Sequence, residues 1–297
     1  MKNCISRLKI SGIIIFSLCS GLAFTQNSPQ TLEFAGGQYL AGNYDAALSA
    51  YQRFLFFNKE KHAPAVYRQI ADCYFRLHEY EKAAGYFDLA SSSFGEDSIK
   101  NEMVFRKIAS LLMKDQYDYA LMELLGLEGI SSSYFLDKQN FYLGITYFGM
   151  NRFDSSETSF ARILERNKPA DINRLHALFA ANKKTDRIRP RTAKILSIIL
   201  PGLGQFYSGD VKSGINSFLI TSAFFLLGVK TAATYSFMDA FVSVFPWYQR
   251  YYMGGYNKAE AIARKRVRDK RAMVYKEILE LLASAKEKQT GLNPASR

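Results

Sequence analysis

One short stretch of the sequence, SIILPGLGQFYSGDVKSG, has glycines spaced in a way that could bind phosphate. Gly204 and Gly209 are separated by four residues, as are the two glycines of a phosphate-binding loop. That loop continues with Lys and then Ser or Thr, whereas Asp210 and Val211 follow here, and the Asp210 carboxylate would repel a phosphate. A dinucleotide-binding fingerprint fails too, because Tyr207 occupies the position of its third glycine. The stretch therefore predicts a turn between apolar helices and no nucleotide site.

No other set of residues has the spacing that catalysis or metal binding requires. The three histidines, His62, His78 and His176, have no metal-ligand partner at a useful spacing. A Gly-x-Ser-x-Gly nucleophile elbow, a zinc signature and paired catalytic carboxylates are all lacking. Asp239 stands in an apolar segment, where acidic residues are often functional, and it supports an alternative in which that segment belongs to a transporter-like or enzymatic unit. We expect no enzyme, no cofactor and no metal.

The composition indicates an all-α protein with a substantial core. Hydrophobic residues make up 48% of the chain, β-branched alternation is almost absent, and Ala, Leu, Lys and Glu recur at helical spacing. The net charge is +12, and the bases concentrate in two blocks, Lys183 to Lys194 and Lys258 to Lys276. These blocks flank the most apolar part of the chain, which favours lipid headgroups over nucleic acid as the partner.

The N-terminus has the pattern of a secretory signal peptide over residues 1–25. Basic residues precede the apolar run IIIFSLCSGLAF, which is followed by polar TQNSPQ. An uncleaved anchor is one alternative, and a lipoprotein modified at Cys19 is another, although Leu18 stands where a small residue is expected. Removal of the leader would leave Cys73 as the single cysteine, and its apolar neighbours predict a buried structural thiol.

A repeat runs through the first half of the sequence. An aromatic residue recurs at steps of 36, 37 and 36 residues, at Tyr44, Tyr80, Tyr117 and Phe153. A small residue follows each aromatic three positions later, and a large residue, apolar or tyrosine, follows four positions after that. Each unit also has a predicted upstream helix, in which small residues such as Ala71 and Gly144 allow close helix contact. The period predicts stacked helix–turn–helix units.

This pattern resembles the tetratricopeptide repeat (TPR) family over residues 28–169, with about four units. The resemblance implies a solenoid in which the first helix of each pair lines a concave groove that binds a protein or peptide. Mapped onto this chain, the implied groove positions are Tyr39, Arg68, Asp72, Phe75, Arg76, Phe141 and Phe148. Aromatic and arginine side chains suit such binding, but the alternative for several of the aromatics is packing against the next repeat.

A basic linker is predicted at 170–192, and an apolar helical domain follows at 193–253. Its stretch PGLGQFYSG resembles a family of small bacterial membrane domains that contain a helical hairpin, and this implies membrane integration. The motif residues are Pro201, Gly202, Gly204, Gln205, Phe206, Tyr207 and Gly209. The apolar segments 193–207, 214–229 and 231–248 are shorter than the ~20 residues of a typical span, which leaves a soluble helical core as the alternative. A basic helical tail is predicted at 256–288.

Together these features predict an exported, membrane-anchored scaffold at the bacterial inner membrane, with its repeats in the periplasm. The signal peptide and the charge distribution disagree about topology, because basic flanks prefer the cytoplasmic side. Two spans would leave both basic blocks outside, whereas three spans would place them on opposite sides. A soluble periplasmic repeat protein remains the third hypothesis.

Overall fold

The structure is a computed structural model that describes residues 28–58, 63–127, 130 and 132–290, and those residues form helices and no strand. This confirms the predicted all-α class. The chain divides into two compact units, Met1–Asn151 and Arg152–Arg297. The predicted signal peptide, with Cys4 and Cys19, lies outside the described residues, and so does His62.

The first unit is a succession of helices, each of which packs on the next along the chain. They are α1 (Ser28–Leu40), α2 (Tyr44–Phe57), α3 (Ala63–Arg76), α4 (Tyr80–Ser93), α5 (Asp97–Met113), α6 (Tyr117–Leu125) and α7 (Ser133–Gly149). Helices α1 and α2, α3 and α4, and α5 and α6 form three pairs, and the second helix of each pair begins at the repeated aromatic, Tyr44, Tyr80 or Tyr117. Helix α5 also contacts α7, the corresponding helix of the next unit. Packing of each helix on the next one and on its counterpart in the following unit is the arrangement of a TPR-like solenoid.

The predicted small and large positions are the ones that the pairs bury. Ala47, Ala83 and Ala120 are fully buried, and the large residues four positions later, Tyr51, Phe87 and Leu124, are at most 2% exposed. An alanine lets the neighbouring backbone approach, and the large side chain one turn later fills the space beside it. The repeat in the sequence is therefore a repeat of core contacts.

The turns between paired helices repeat as closely as the cores do. The residue two positions before each repeated aromatic has a left-handed backbone, with φ of 80°, 61°, 56° and 58° at Gly42, His78, Asp115 and Asn151 respectively. In the first three turns the next amide closes the preceding helix; for example, the Glu79 N–H donates to the Tyr74 carbonyl at 2.9 Å. Asn, Asp and His are the non-glycine residues that best tolerate this conformation.

The second unit contains α8 (Phe153–Asn167), a 3₁₀ turn (Pro169–Asp171), α9 (Ile172–Thr185), α10 (Pro190–Ile199), α11 (Leu203–Tyr207), α12 (Val211–Thr234), α13 (Phe237–Ser243) and α14 (Phe245–Thr290). Several of these bounds differ from the sequence-based ones. The stretch expected as a linker, 170–192, is largely helical, because Leu175 and Phe179 lie one turn apart and bury against the unit. The predicted apolar domain and basic tail meet inside the single helix α14.

The three predicted apolar segments also have different bounds in the structure. Segment 193–207 is two short helices, because the chain turns at Pro201 and at Gly202, whose φ is 92°. The second segment, 214–229, is the interior of α12, which continues through Lys230 to Thr234. The third segment, 231–248, is divided among the end of α12, the short helix α13 and the start of α14. Helix α12 is the one helix in the described part of the chain that is long and apolar enough to cross a membrane.

Helices α12 and α14 form an antiparallel hairpin. Near its closed end, a Cβ built on Gly228 would lie 3.6 Å from Val244. Farther along, the rings of Phe224 and Tyr251 stack with centroids 5.1 Å apart. At the open end, Ser217 Oγ lies 2.7 Å from a Cβ built on Gly255. Residue numbers rise along one helix as they fall along the other, so α12 begins beside the part of α14 that follows Gly255.

Candidate functional site

The predicted groove residues all lie on first helices of pairs in the first unit. Tyr39 is on α1, four of the residues are on α3, and Phe141 and Phe148 are on α7. The structure brings Tyr39 and Arg76 into contact: the exposed Arg76 guanidinium donates a hydrogen bond to Tyr39, and this bond raises the pKa of Arg76. Arg68 lies close enough to Asp72 to favour its charged form.

Asp72 is engaged in an ion pair within the protein. Its Oδ1 accepts a hydrogen bond from Arg106 on α5 at 2.6 Å. Burial raises the pKa of Asp72 above its ordinary value, and the nearby Arg106 opposes that rise without cancelling it. The carboxylate therefore depends on Arg106 for its stability when charged, and it is not free to bind a ligand cation.

The ion pair belongs to a ladder of charges along three successive first helices. Arg106 also lies 3.7 Å from Glu102, and Lys138 on α7 donates to Glu102 at 2.5 Å. Sequence reasoning missed Arg106, Glu102 and Lys138. Their separations contained a signal, because Asp72 to Arg106 and Glu102 to Lys138 are 34 and 36 residues apart, close to one repeat. Opposite charges at that spacing lie on neighbouring first helices of a solenoid.

Several of the predicted groove aromatics pack against local neighbours. Phe75 meets Tyr80, the first residue of the next helix, edge to face with ring centroids 5.3 Å apart. Tyr39 meets Tyr44 in the same way at 5.4 Å. Phe141 is half-buried and contacts Tyr142 at 5.7 Å. Phe75 and Tyr39 each meet the second helix of their own pair, and Phe141 meets its neighbour on the same helix, so none of these three contacts is with the next repeat. The role of these aromatics in a groove stays a prediction.

In the second unit, the PGLGQFYSG stretch forms a tightly packed junction. A Cβ added to Gly204 would lie 1.8 Å from the Ala193 carbonyl oxygen on α10, and one added to Gly202 would lie 2.4 Å from the Gly214 carbonyl oxygen on α12. Only glycine permits backbones to approach this closely. The two glycines therefore allow α10, α11 and α12 to meet.

Gln205 ties this junction to the long helix. Its side chain is fully buried; Oε1 accepts from the Ser197 hydroxyl at 2.8 Å, and Nε2 donates to the Gly255 carbonyl at 2.9 Å. The Ser197 hydroxyl also accepts the Gly204 N–H at 2.9 Å. A buried amide with both ends paired is stabilising, and the same amide without partners would cost free energy.

The other motif residues also have structural roles. Tyr207 donates its hydroxyl to the Arg187 carbonyl at 2.6 Å, and Phe206 packs on Gly214. Pro201 forms the turn before Gly202, and beside Gly209 the Ser208 carbonyl accepts from Arg266 at 2.6 Å.

The backbone hydrogen bonds of the PGLGQFYSG stretch show whether it can form a phosphate-binding loop. The amides of Gly204, Phe206, Ser208, Gly209 and Asp210 all donate to oxygen atoms within the junction. A phosphate loop needs such amides directed at the ligand, so this stretch does not form one. The Asp210 carboxylate instead caps α12 by accepting the Ser213 N–H at 3.0 Å, and this hydrogen bond lowers the pKa of Asp210. The predicted turn between helices is confirmed.

A large apolar surface surrounds the hairpin. The exposed apolar residues include Ile199, Phe218, Leu219, Phe225, Leu226, Val229, Tyr235, Phe237, Met238, Val242 and Trp247. Only 6% of the most apolar window of α12 is buried within the protein. Soluble monomers rarely expose contiguous apolar area of this kind, so another apolar phase or partner is expected to cover it.

The other residues considered for catalysis or metal binding, among those that the structure describes, make contacts within the protein or lie at helix ends. The His78 Nδ1 lies 2.6 Å from the Tyr80 hydroxyl, and the His176 Nδ1 lies 2.5 Å from a Glu157 oxygen. No cluster of metal-ligating side chains occurs within the described ranges. Cys73 is fully buried, and that burial, with the nearby Asp72 charge, raises the pKa of its thiol to about 12. Asp239 lies exposed in the first turn of α13, where its N–H donates to Ser236.

No family model matches the chain, and no curated protein matches it. Among solved structures, the chain is similar to the crystal structure of a TPR repeats protein from Bacteroides fragilis. The two share 15% sequence identity with a TM-score of 0.34, over 89% of this chain and 100% of that one. The evidence for a TPR-like fold is therefore the helix pairs and turns described above.

Proposed function

We propose that this protein is a membrane-anchored scaffold of the bacterial cell envelope and not an enzyme. Its hairpin enters the lipid bilayer, and its helical repeats bind a protein or a peptide. The observation that carries the anchoring is the apolar surface of α12, α13 and the start of α14, which no other part of the described chain covers. An exposed apolar helix of 24 residues is long enough to cross the hydrocarbon core.

The charges in the hairpin fit this proposal. Lys212 and Lys258 lie toward its open end, while Lys230 and Asp239 lie toward its closed end. Arg250 on α14 is the one charge between those ends, and its long side chain can extend toward the headgroups.

Trp247 is the single tryptophan, so its fluorescence tests anchoring in the native sequence. We expect lipids brominated on their acyl chains to quench Trp247 in reconstituted full-length protein, and we expect a carbonate wash to leave the protein in the membrane. Unquenched emission together with release by the wash would favour the alternative of a soluble repeat protein.

The repeats are proposed to lie in the periplasm and to bind their partner on the first-helix face. Protease added to spheroplasts should digest the repeats while the hairpin stays in the membrane. A photo-crosslinking residue at Arg76 should capture the partner, whereas one at Glu81, which is exposed on the second helix of the same pair, should not. Equal crosslinking at both positions would refute the proposed face. Protection of the repeats until lysis would place them in the cytoplasm.

A further inference from the structure

The two basic blocks, which the sequence separates by the whole apolar domain, touch each other in the structure. Arg271 donates to Asp186 at 2.6 Å, and Lys194 lies 3.2 Å from Glu260. The Arg266 guanidinium also binds the carbonyl of Ser208. These contacts hold residues 186–208 against residues 260–271 of α14, at the open end of the hairpin.

This contact restricts how the chain can cross a membrane. The hydrocarbon core is ~30 Å thick, so groups joined by an ion pair cannot lie on opposite sides of it. Helix α10 has 10 residues and rises only ~15 Å, so it does not cross either. The chain therefore leaves and returns on the same side, and the three-span arrangement is incompatible with this structure.

Most bases at the open end have no acidic partner within the described ranges. Three of the acids there form ion pairs: Asp186 with Arg271, Glu260 with Lys194 and Arg264, and Asp269 with Arg268. A fourth, Asp210, accepts the Ser213 N–H and lies near Lys212 and Lys258. Besides Lys212, Lys258 and Arg266, seven exposed bases there form no ion pair with a described carboxylate: Lys183, Lys184, Arg187, Arg189, Arg191, Lys265 and Lys270. An uncompensated positive region thus lies where the apolar surface ends.

We propose that these seven bases form one basic collar, which binds the headgroups of anionic phospholipids on a single side of the membrane. This inference rests on the proposed membrane anchoring. Charge complementarity favours phospholipid over other polyanions because the collar adjoins the apolar surface, so one lipid molecule can satisfy both. The collar would hold the hairpin at a defined depth, with both of its limbs emerging on the collar side.

The first test measures lipid preference in detergent, independently of insertion. Tail-labelled phosphatidylglycerol and phosphatidylcholine are titrated into full-length protein, and fluorescence anisotropy gives the affinity. Each base near an anionic surface contributes about fivefold, so Lys265→Gln/Lys270→Gln and Arg187→Gln/Arg191→Gln should each weaken phosphatidylglycerol binding about 25-fold. The matched control, Lys82→Gln/Lys114→Gln in the first unit, should leave it unchanged.

The second test measures sidedness with single cysteines in a Cys4→Ser/Cys19→Ser background, in which buried Cys73 stays unlabelled. A membrane-impermeant maleimide should reach Arg191→Cys and Lys265→Cys under the same condition, either in intact cells or only after lysis. Labelling from opposite sides would overturn the collar.

The outcomes separate this proposal from the anchoring itself. Equal affinity for the two lipids, with Trp247 still quenched by brominated chains, would overturn the collar and leave the anchor in place. Phosphatidylglycerol preference without quenching would keep the collar and refute insertion. Tight binding of a short DNA oligonucleotide without any phosphatidylglycerol preference would show a general polyanion surface and would also overturn the proposal.

Discussion

Gln205 donates a hydrogen bond to the carbonyl oxygen of Gly255 at 2.9 Å, across 50 residues of sequence. The same side chain accepts from Ser197, so one buried amide joins α10, α11 and α14. This relationship explains why the PGLGQFYSG stretch combines glycines with a polar residue. The glycines let the backbones approach, and the amide satisfies the polar groups that the approach buries.

Replacing Gln205 with Leu should destabilise the second unit by about 2 kcal/mol. The change removes the hydrogen-bond donor of the half-buried Gly255 carbonyl and the acceptor of the buried Ser197 hydroxyl proton, and a buried polar group that loses its partner carries a desolvation cost. Thermal unfolding of full-length protein in detergent, followed by circular dichroism, measures the loss. Ser197→Ala combined with Gln205→Leu should cost less than the sum of the single changes. Full additivity would contradict the network.

Gly204→Ala should be strongly destabilising, by about 3 kcal/mol, because the added methyl group would overlap the Ala193 carbonyl oxygen. Gly254 is a matched control: it lies inside α14, and a Cβ there meets nothing within 4 Å. Gly254→Ala should be neutral or stabilising by up to about 1 kcal/mol, since alanine favours a helix over glycine. Similar melting temperatures for the two variants would refute the close approach at Gly204.

Arg106→Gln should destabilise the first unit by about 1 to 2 kcal/mol at pH 7, because it leaves the half-buried Asp72 carboxylate without its cation. Burial holds the folded pKa of Asp72 above its unfolded value, so the stability contribution of this group is present at low pH and falls as pH rises through the folded pKa. The loss of stability caused by Arg106→Gln should therefore become smaller on acidification below pH 4, where Asp72 is increasingly protonated.

A double variant without either charge provides the control for the Asp72–Arg106 ion pair. Asp72→Asn mimics the protonated carboxyl group, so Asp72→Asn/Arg106→Gln should recover most of the stability that Arg106→Gln loses. Lys114→Gln removes an exposed base 3.9 Å from Glu81 and should change stability very little. Urea unfolding at pH 7 and at pH 3.5 compares the variants, and a double variant no better than Arg106→Gln would contradict the interpretation.

Cys73 should not react with maleimide in the folded protein. Its thiol is buried and has a pKa of about 12, so the reactive thiolate is almost absent at neutral pH. In the Cys4→Ser/Cys19→Ser background, mass spectrometry should find no adduct at pH 7.5 and one adduct after denaturation in urea. Rapid labelling of the native protein would show that the Cys73 thiol is accessible and would contradict its burial.

The sequence by itself determined the helical class, the repeat period and the residues at the centre of each helix pair. Tyr51, Phe87 and Leu124 could be placed because the repeated contacts are local, and local packing leaves a regular spacing in the chain. The turn at Gly202 was predictable for a similar reason, since proline and glycine act on the backbone of their own residues.

Contacts between distant segments were decided only by the tertiary structure. The Gln205–Gly255 hydrogen bond and the Arg271–Asp186 ion pair join residues with no common pattern in the sequence. The charge blocks alone left the hypotheses of two and of three membrane spans open, because the number of charges in a segment does not say which segments are in contact. Side-chain packing of α10, α11 and α12 on α14 brings those blocks together, and a contact of a few ångströms cannot extend across a bilayer.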